Sequence, residues 1–282
     1  FVASFITLNA NDSKKFDEII SSSELREGHF NFYWNEGEGK IYLELSEWDK
    51  EFLYISFLAA GVGCNDIGLD RGQAGDTKIV RFERYGPKVL LIQANYDFRA
   101  ESENPDEQRS VKEAFAESVI DGFTVSAEKG DYVLIDISDF IIRDANGVAN
   151  TLKSSGQGNY SLDKEKSVIY HENTKNFELN TEFEALLTFK GTPMGQYVRQ
   201  VVPTPELISV RQRHSFVALP DDHYKKRAFD PRAGYFGIQY MDYATPIDQD
   251  INKRYISRHR LQKKNPGRDI SELIEPIVYY VD

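Results

Sequence analysis

Apolar and polar residues alternate along much of the chain, which is the pattern of β-strands with one buried face. Alternate positions are apolar in 30–34 and again in 41–45, and a turn with two glycines separates the two runs. The runs 78–85 and 88–96 meet at Gly86-Pro87 in the same way. Each pair predicts a β-hairpin. Further strands are predicted at 52–58, 133–137, 166–171, 182–189 and 207–217.

Two segments have a helical period instead. An apolar face repeats through 12–20, which predicts a short amphipathic helix. The clearest helix is predicted over about 105–121, where Asn104 is the N-cap, Pro105 takes the first position and apolar residues recur at every fourth position. The fold class is therefore predicted as α+β, predominantly antiparallel β-sheet with one clear helix and a few short helices.

Composition agrees with a sheet protein that buries a sizeable core. The chain has 282 residues, enough for one large domain or two modest ones. Aromatic residues make up 13%, and their side chains favour pleated, half-buried surfaces. The net charge of -11 argues against binding of duplex nucleic acid, because that work depends on neutralising phosphates. No apolar run approaches the roughly 18 residues of a membrane span, so no membrane-spanning segment is predicted.

We expect three regions along the chain. Residues 1–27 form an N-terminal helical arm, 28–250 form the β-rich core domain, and 251–282 comprise a basic helix, a linker and a terminal strand. The linker is indicated by Asn265-Pro266-Gly267, and the strand by the apolar run 277–281. An alternative for the last region is an ordinary surface helix followed by an edge strand of the domain's own sheet.

The two ends of the sequence carry expectations of their own. The chain begins at Phe1 without a charged and apolar leader, so we expect either a removed signal segment or a trimmed N-terminus. It ends in an apolar strand, whereas natural termini are more often polar and frayed. We therefore expect the parent protein to continue beyond it.

The reactive side chains form no complete catalytic motif. None of the five histidines begins His-Glu-x-x-His or has a second histidine four residues away. The single cysteine, Cys64, excludes an internal disulfide, and with no neighbouring histidine it is interpreted as an unreactive thiol. The glycines of 61–75 do not follow Gly-x-Gly-x-x-Gly. We expect no catalytic site, no zinc site and no cofactor in this chain, and no EF-hand pattern for calcium occurs.

Two charged clusters remain as candidates for function. The first is a loop between two strands that contains Asn65, Asp66, Asp70 and Arg71. A loop in which Arg71 pairs with one of the aspartates is favoured, and ligand binding is the alternative. The second is the run 253–268, which has seven lysines and arginines and no acid. It is interpreted either as a solvated helix face or as a docking surface for an acidic region of the parent protein.

Long blocks of the sequence, in order and over nearly the whole chain, resemble a known family. The blocks are FLAAGVGCNDIGLDRGQ (57–73), VRFER (80–84), GPKVLL (86–91), AFAESV (114–119), RHSFV (213–217), RAFDPRAGYFG (227–237), RHRL (258–261) and EPIVYYVD (275–282). They are similar to an uncharacterised N-terminal domain of large, exported bacterial zinc-dependent metalloproteases. In that family the zinc site lies downstream, in a metzincin-like domain with an extended His-Glu-x-x-His motif, and this chain has no such motif.

The resemblance implies a non-catalytic accessory region that acts as a scaffold, controls substrate access or serves as a propeptide. It implies an exported bacterial protein (periplasmic, outer-surface or secreted) whose partner is its own downstream protease domain, with zinc in that domain. Residues of mixed aromatic and charged character are the predicted contacts with it. They are Arg227, Phe229, Asp230, Arg232, Tyr235, Arg258, His259 and Arg260.

The alternative function is a self-sufficient β module that binds glycan or peptide through surface aromatic residues. A planar row of exposed aromatic rings would indicate it. Trp34 and Trp48 are the first residues to inspect for such a row.

Overall fold

The computed structural model describes residues 10–279. The chain divides into two compact units, each made of two separate segments. Unit 1 consists of Phe1–Ala94 and Glu117–Leu219, and unit 2 consists of Asn95–Ala116 and Pro220–Asp282. This division differs from the predicted regions, because residues 95–116 and 220–250 group with unit 2 instead of with the rest of 28–250. Periodicity identifies strands and helices one by one, but it carries no information on which of them pack together.

Antiparallel β-sheet dominates, with 40% of the residues in strands and 17% in helices, which confirms the predicted fold class. The strands are β1 (Glu24–Arg26), β2 (Phe32–Asn35), β3 (Lys40–Leu45), β4 (Glu51–Ala60), β5 (Lys78–Tyr85), β6 (Lys88–Gln93), β7 (Phe98–Arg99), β8 (Ser118–Lys129), β9 (Tyr132–Asp136), β10 (Gly158–Leu162), β11 (Val168–Ile169), β12 (Lys175–Asn176), β13 (Asn180–Pro193), β14 (Leu207–Ala218), β15 (Gly237–Asp242) and β16 (Asn252–Ile256).

Unit 1 is built on one sheet of thirteen strands. Its order is β1-β2-β3-β9-β8-β6-β5-β4-β14-β13-β10, with β11 and β12 also paired to β13. Both predicted hairpins are present, as β2–β3 and β5–β6. The second turns at Gly86, whose φ of +59° is a conformation that glycine adopts without steric cost.

The two faces of this sheet carry separate apolar clusters. Phe32 and Leu43 belong to the main core, whereas their neighbours Tyr33 and Tyr42 lie in a second cluster. Neighbouring residues of a strand point to opposite faces, which explains the division.

Helices cover parts of both faces. Within residues 10–279 the α-helices are α1 (Ala10–Ser21), α2 (Pro105–Ala114), α3 (Ser138–Ile141), α4 (Val148–Ser154) and α5 (Gln196–Val201). Phe16 and Ile19 of α1 complete the second cluster, so this helix packs on the sheet instead of forming a separate arm. None of the helices in the described part of the chain has the length and apolar character needed to cross a bilayer.

Unit 2 contains α2 and a small sheet in the order β16-β15-β7. The pair β15–β16 is antiparallel, and β7 joins β15 in parallel over two residues. The predicted helix over 105–121 ends at Ala114, because the following residues enter β8 and pair with β6. The Phe115 N–H still donates to the Val111 carbonyl, and from Ser118 onwards the backbone pairs in the large sheet.

The predicted basic helix in the last region is also wrong. Residues 252–256 form β16, in which Ile256 is buried and Tyr255 lies opposite Ile238. Pairing with β15 determines the conformation of this charged segment, although its sequence alone was interpreted as a helix. The predicted terminal strand is absent over 277–279, and 280–282 lie outside the described residues.

A chain of polar contacts is buried in the core of unit 1 around His214. The Tyr54 hydroxyl lies 2.9 Å from Nδ1 of His214, and the Arg143 guanidinium donates to the same hydroxyl oxygen at 3.1 Å. Nε2 of His214 lies 3.1 Å from the carbonyl oxygen of Ile141. Nε2 of Gln212 lies 2.9 Å from the same ring nitrogen, so the neutral ring either donates from Nε2 to Ile141 or accepts there from Gln212. Burial, with the charge of Arg143 acting in the same direction, lowers the pKa of His214 to about 3.

We expect the free energy of unfolding of unit 1 to fall as pH falls from 6.5 towards 3. In this window the unfolded chain binds a proton at His214 that the folded chain excludes, which costs up to about 1.4 kcal/mol per pH unit. Denaturant titrations at several pH values measure the slope, and His214→Gln should reduce it by about one proton. His171→Gln, a half-exposed histidine of the same unit, is the control. An unchanged slope in His214→Gln contradicts this assignment.

Candidate functional site

The loop that contains Asn65, Asp66, Asp70 and Arg71 follows β4, and backbone hydrogen bonds attach it to that strand. The Val62 N–H donates to the Leu69 carbonyl at 2.9 Å, and the Gly72 N–H donates to the Leu58 carbonyl at 2.7 Å. Further along, the Gly75 N–H donates to the Ser56 carbonyl at 2.8 Å. These bonds fold residues 61–75 back onto the strand.

Buried apolar side chains of this loop determine which of its polar residues are exposed. Ile67 and Leu69 are buried in the core, together with half-buried Cys64. The four candidate residues thereby share one loop, with three of them exposed and one half-buried. Exposed are Asn65, Asp66 and Arg71, and half-buried is Asp70. In the part of the chain that the structure describes, no three His, Cys, Asp or Glu side chains converge as metal ligands.

Gly61 is required by the same packing. A Cβ atom at this position would lie 2.1 Å from the carbonyl oxygen of Leu69, a backbone atom that cannot rotate away. Close approach of two backbone segments thus explains Gly61, whereas Gly63, Gly68 and Gly72 have φ values of +89°, +80° and +85°, which glycine adopts without steric cost.

We expect Gly61→Ala to lower the free energy of unfolding by about 1–3 kcal/mol, the usual cost of overpacking. Gly37→Ala is the matched control, since its Cβ would meet only a side-chain oxygen at 3.5 Å. That control should change stability by less than about 0.5 kcal/mol. Denaturant titration of both variants decides, and equal stabilities would contradict the close approach.

The residues predicted to contact a partner domain all lie in unit 2. Residues 227–229 run beside β16, where Ile256 donates to the Arg227 carbonyl and Phe229 donates to the Arg254 carbonyl, both at 3.0 Å. The Arg254 guanidinium lies 4.2 Å from the centre of the Phe229 ring. This part of the predicted contact therefore extends the small sheet.

Much of the charge in this region is paired inside unit 2. Asp230 accepts two bonds from the Arg232 guanidinium, at 3.0 and 2.6 Å. Arg260 binds Asp221 through both oxygens, at 2.6 and 3.2 Å, and lowers the pKa of that carboxyl to about 2. Arg258 donates to the carbonyl of residue 225 at 2.7 Å. His259 is exposed.

Exposed apolar side chains are a more prominent feature of unit 2 than its charges. About half of the exposed large hydrophobic side chains belong to unit 2, although it holds fewer than a third of the described residues. Tyr235 is 58% exposed, Phe236 90% and Ile238 57%. These three residues are called the apolar strip below. All three belong to the run 235–240, whose aromatic and polar side chains predict a contact with a partner domain.

The apolar strip lies at an open strand edge. β7 pairs with β15 only at Met241 and Asp242. On that side, residues 237–240 have no strand partner among the described residues, while their other side pairs with β16. Unpaired N–H and C=O groups beside exposed apolar side chains can accept an added strand.

Next to this edge, one ionic contact joins the two segments of unit 2. The Glu101 carboxylate accepts from Lys226 Nζ at 2.7 Å and from the Tyr240 hydroxyl at 2.5 Å. The Lys226 ammonium also lies 5.2 Å from the ring centres of Tyr240 and Tyr255. Burial, followed by the bond to Glu101, raises the pKa of Tyr240, so its hydroxyl remains a donor. The sequence held no local signal for this contact, since its partners lie far apart along the chain.

Comparison with known proteins gives a family. A model described as a domain of unknown function (DUF5117) matches residues 72–264, and a second one (DUF5118) matches residues 13–61. The chain belongs to the DUF5117 family. No curated protein and no solved structure matches it. The DUF5118 match ends directly after β4, and the DUF5117 match begins before β5, so both contribute strands to the same sheet of unit 1.

Proposed function

We propose that this chain is a non-catalytic accessory region of an exported bacterial zinc-dependent metalloprotease, and that it binds the protease domain of its parent protein. The apolar strip beside the open edge of β15 is the observation that carries the proposal. The resemblance of the long sequence blocks to the N-terminal domain of such proteases supplies the identity of the partner.

The strip has the chemistry of a protein-binding surface. Aromatic and aliphatic side chains that remain exposed beside an unpaired strand edge favour burial against another chain. Arg227 and Arg232 lie near the strip in sequence and are exposed, and arginine with aromatic residues is typical of protein interfaces. A partner that adds a strand would form hydrogen bonds with the unpaired N–H and C=O groups of residues 237–240 and would cover Ile238.

The basic run contributes less to this surface than its charge suggests. Arg258 and Arg260 already have partners within unit 2, so they are not available in full to an acidic region. We therefore propose an apolar, strand-bearing face on the protease domain in place of the acidic one that the sequence suggested.

The alternative function, a glycan- or peptide-binding module, depends on exposed aromatic rings. Trp34 stacks on His171 with ring centres 5.0 Å apart, and Trp48 packs against the core. Both tryptophans are only partly exposed. These two tryptophans therefore do not supply an exposed row of rings for that function.

We expect backbone amides of 235–240 to exchange hydrogen more slowly in the full-length parent protein than in this chain alone. Ile238→Asp should abolish most of that added protection, because it places a charge where the apolar contact forms. Val119→Asp, on a strand side chain with a similar exposure of 59% in unit 1, is the matched control and should leave it intact. Hydrogen exchange read by mass spectrometry measures all three proteins.

Two results would contradict the proposal. Equal exchange of 235–240 in the parent protein and in the isolated chain would exclude this surface as the contact. A parent gene that encodes no His-Glu-x-x-His motif after this region would exclude the metalloprotease assignment.

A further inference from the structure

Two arginines of β14 meet at one fully buried carboxylate in unit 1. Arg211 and Arg213 are two positions apart on the strand, so their side chains lie on the same face of the sheet. Glu184 lies opposite Arg213 in the β13–β14 pair and is 0% exposed. Nη1 of Arg211 lies 3.2 Å from one of its oxygens, and Nε and Nη2 of Arg213 donate to the other at 2.9 and 2.6 Å. The shared carboxylate thus holds the two guanidinium groups side by side, and they are called the arginine pair below.

Aromatic rings fix the arginine pair from its two sides. The Arg211 guanidinium lies 5.1 Å from the centre of the Tyr170 ring, and the Arg213 guanidinium lies 5.5 Å from the centre of the Phe57 ring. The Asn173 amide donates to the buried carboxylate at 3.1 Å and helps to keep it in place. A guanidinium that is already packed and paired loses little further freedom when it binds a ligand.

Part of the hydrogen-bonding capacity of the arginine pair is unused. A guanidinium carries several N–H donors in a fixed fork. Among the described residues, Nε and Nη2 of Arg211 and Nη1 of Arg213 have no partner. The two arginine side chains are 33% and 30% exposed, whereas the Glu184 side chain is inaccessible. The exposed polar surface of this cluster is therefore supplied by the guanidinium groups and not by the carboxylate behind them.

The charges at the arginine pair leave room for one more anion. Glu184 offsets one of the two arginine charges. Glu182, on the same strand, lies opposite Lys175 of β12, so its charge has a cation of its own nearby. Glu172 accepts from the Tyr170 hydroxyl at 2.9 Å and is exposed, so that solvent screens its charge. The excess of about one positive charge matches a singly charged carboxylate better than a doubly charged phosphate.

We propose that the arginine pair binds a carboxylate group carried by a peptide, either on an acidic side chain or at a chain terminus. The free N–H groups of the pair would donate to its oxygens in the parallel geometry that guanidinium and carboxylate groups share. Glu184 is a positioning residue, because it orients both guanidinium groups and is itself covered by them. The inference does not rest on the proposed function, whose apolar strip belongs to unit 2.

Three small amides that share one frame are the probes. N-acetylalanine carries only a terminal carboxylate, the α-amide of N-acetylglutamic acid carries only a side-chain carboxylate, and N-acetylalanine amide carries neither. NMR titration of the intact chain at constant ionic strength, read on the arginine Nε–H signals, should show saturable binding of at least one carboxylate. The neutral amide should bind at least about tenfold more weakly.

This comparison requires no variant, so it stands even if a substitution disturbs folding. The carboxylate that binds more tightly identifies the source of the group. Equal affinity for all three probes would overturn the proposal, as would no saturable binding of either carboxylate.

Two substitutions should change the affinity for the carboxylate in opposite directions. Arg211→Lys keeps a charge beside Glu184 but removes the planar fork, and should weaken binding about tenfold. Glu172→Gln removes a neighbouring negative charge and should strengthen binding by about two- to fivefold. Arg199→Lys is the matched control, since Arg199 is exposed and donates to the Pro193 carbonyl at 2.7 Å instead of to a shared carboxylate. Unchanged affinity in Arg211→Lys, weaker binding in Glu172→Gln, or an equal loss in the control would contradict the assignment.

Discussion

Strand β4 pairs with β5 on one side and with β14 on the other, and the remainder of unit 1 depends on this double pairing. Residues 52–60 meet 211–218, from the far end of the same unit, so the sheet closes only when distant parts of the chain come together. Phe52 and Tyr54 of β4 also pack against Phe216 of β14, with ring centres 5.0 and 5.8 Å apart. Backbone pairing and aromatic packing thus stabilise the same join, at the centre of the core.

The join explains why the two family matches do not correspond to two domains. The DUF5118 match contains β1 to β4, and their partners β5, β9 and β14 lie in the DUF5117 match. A fragment that stopped between the matches would expose both the edges of β4 and its apolar side chains. The structural division instead separates the insert 95–116 and the segment after 219 from the sheet. The boundaries of the family matches therefore differ from those of the compact units.

The functional candidates lie where packing leaves groups unsatisfied. In unit 2 the short β7 covers only the end of β15, which leaves an open edge beside Ile238. In unit 1 the loop that contains His29 leaves a buried ring nitrogen without a partner among the described residues. By contrast, the charged groups that are most prominent in the sequence, such as Arg260, already have partners. Exposed or unpaired groups, and not the density of charge, indicate the surfaces available to other molecules.

The sequence by itself determined the local structure wherever one physical signal acted alone. Alternation specified the hairpins around residues 37 and 86, an apolar face specified α1, and Asn104 with Pro105 specified the start of α2. Only the tertiary structure decided where α2 ends, since β8 takes over the residues after it, and that residues 252–256 form a strand. It also decided that His214 is buried and neutral, that Glu101 meets Tyr240, and that Glu184 meets Arg211 and Arg213. Each of these depends on partners distant in sequence, and a periodic pattern records only how a residue relates to its near neighbours.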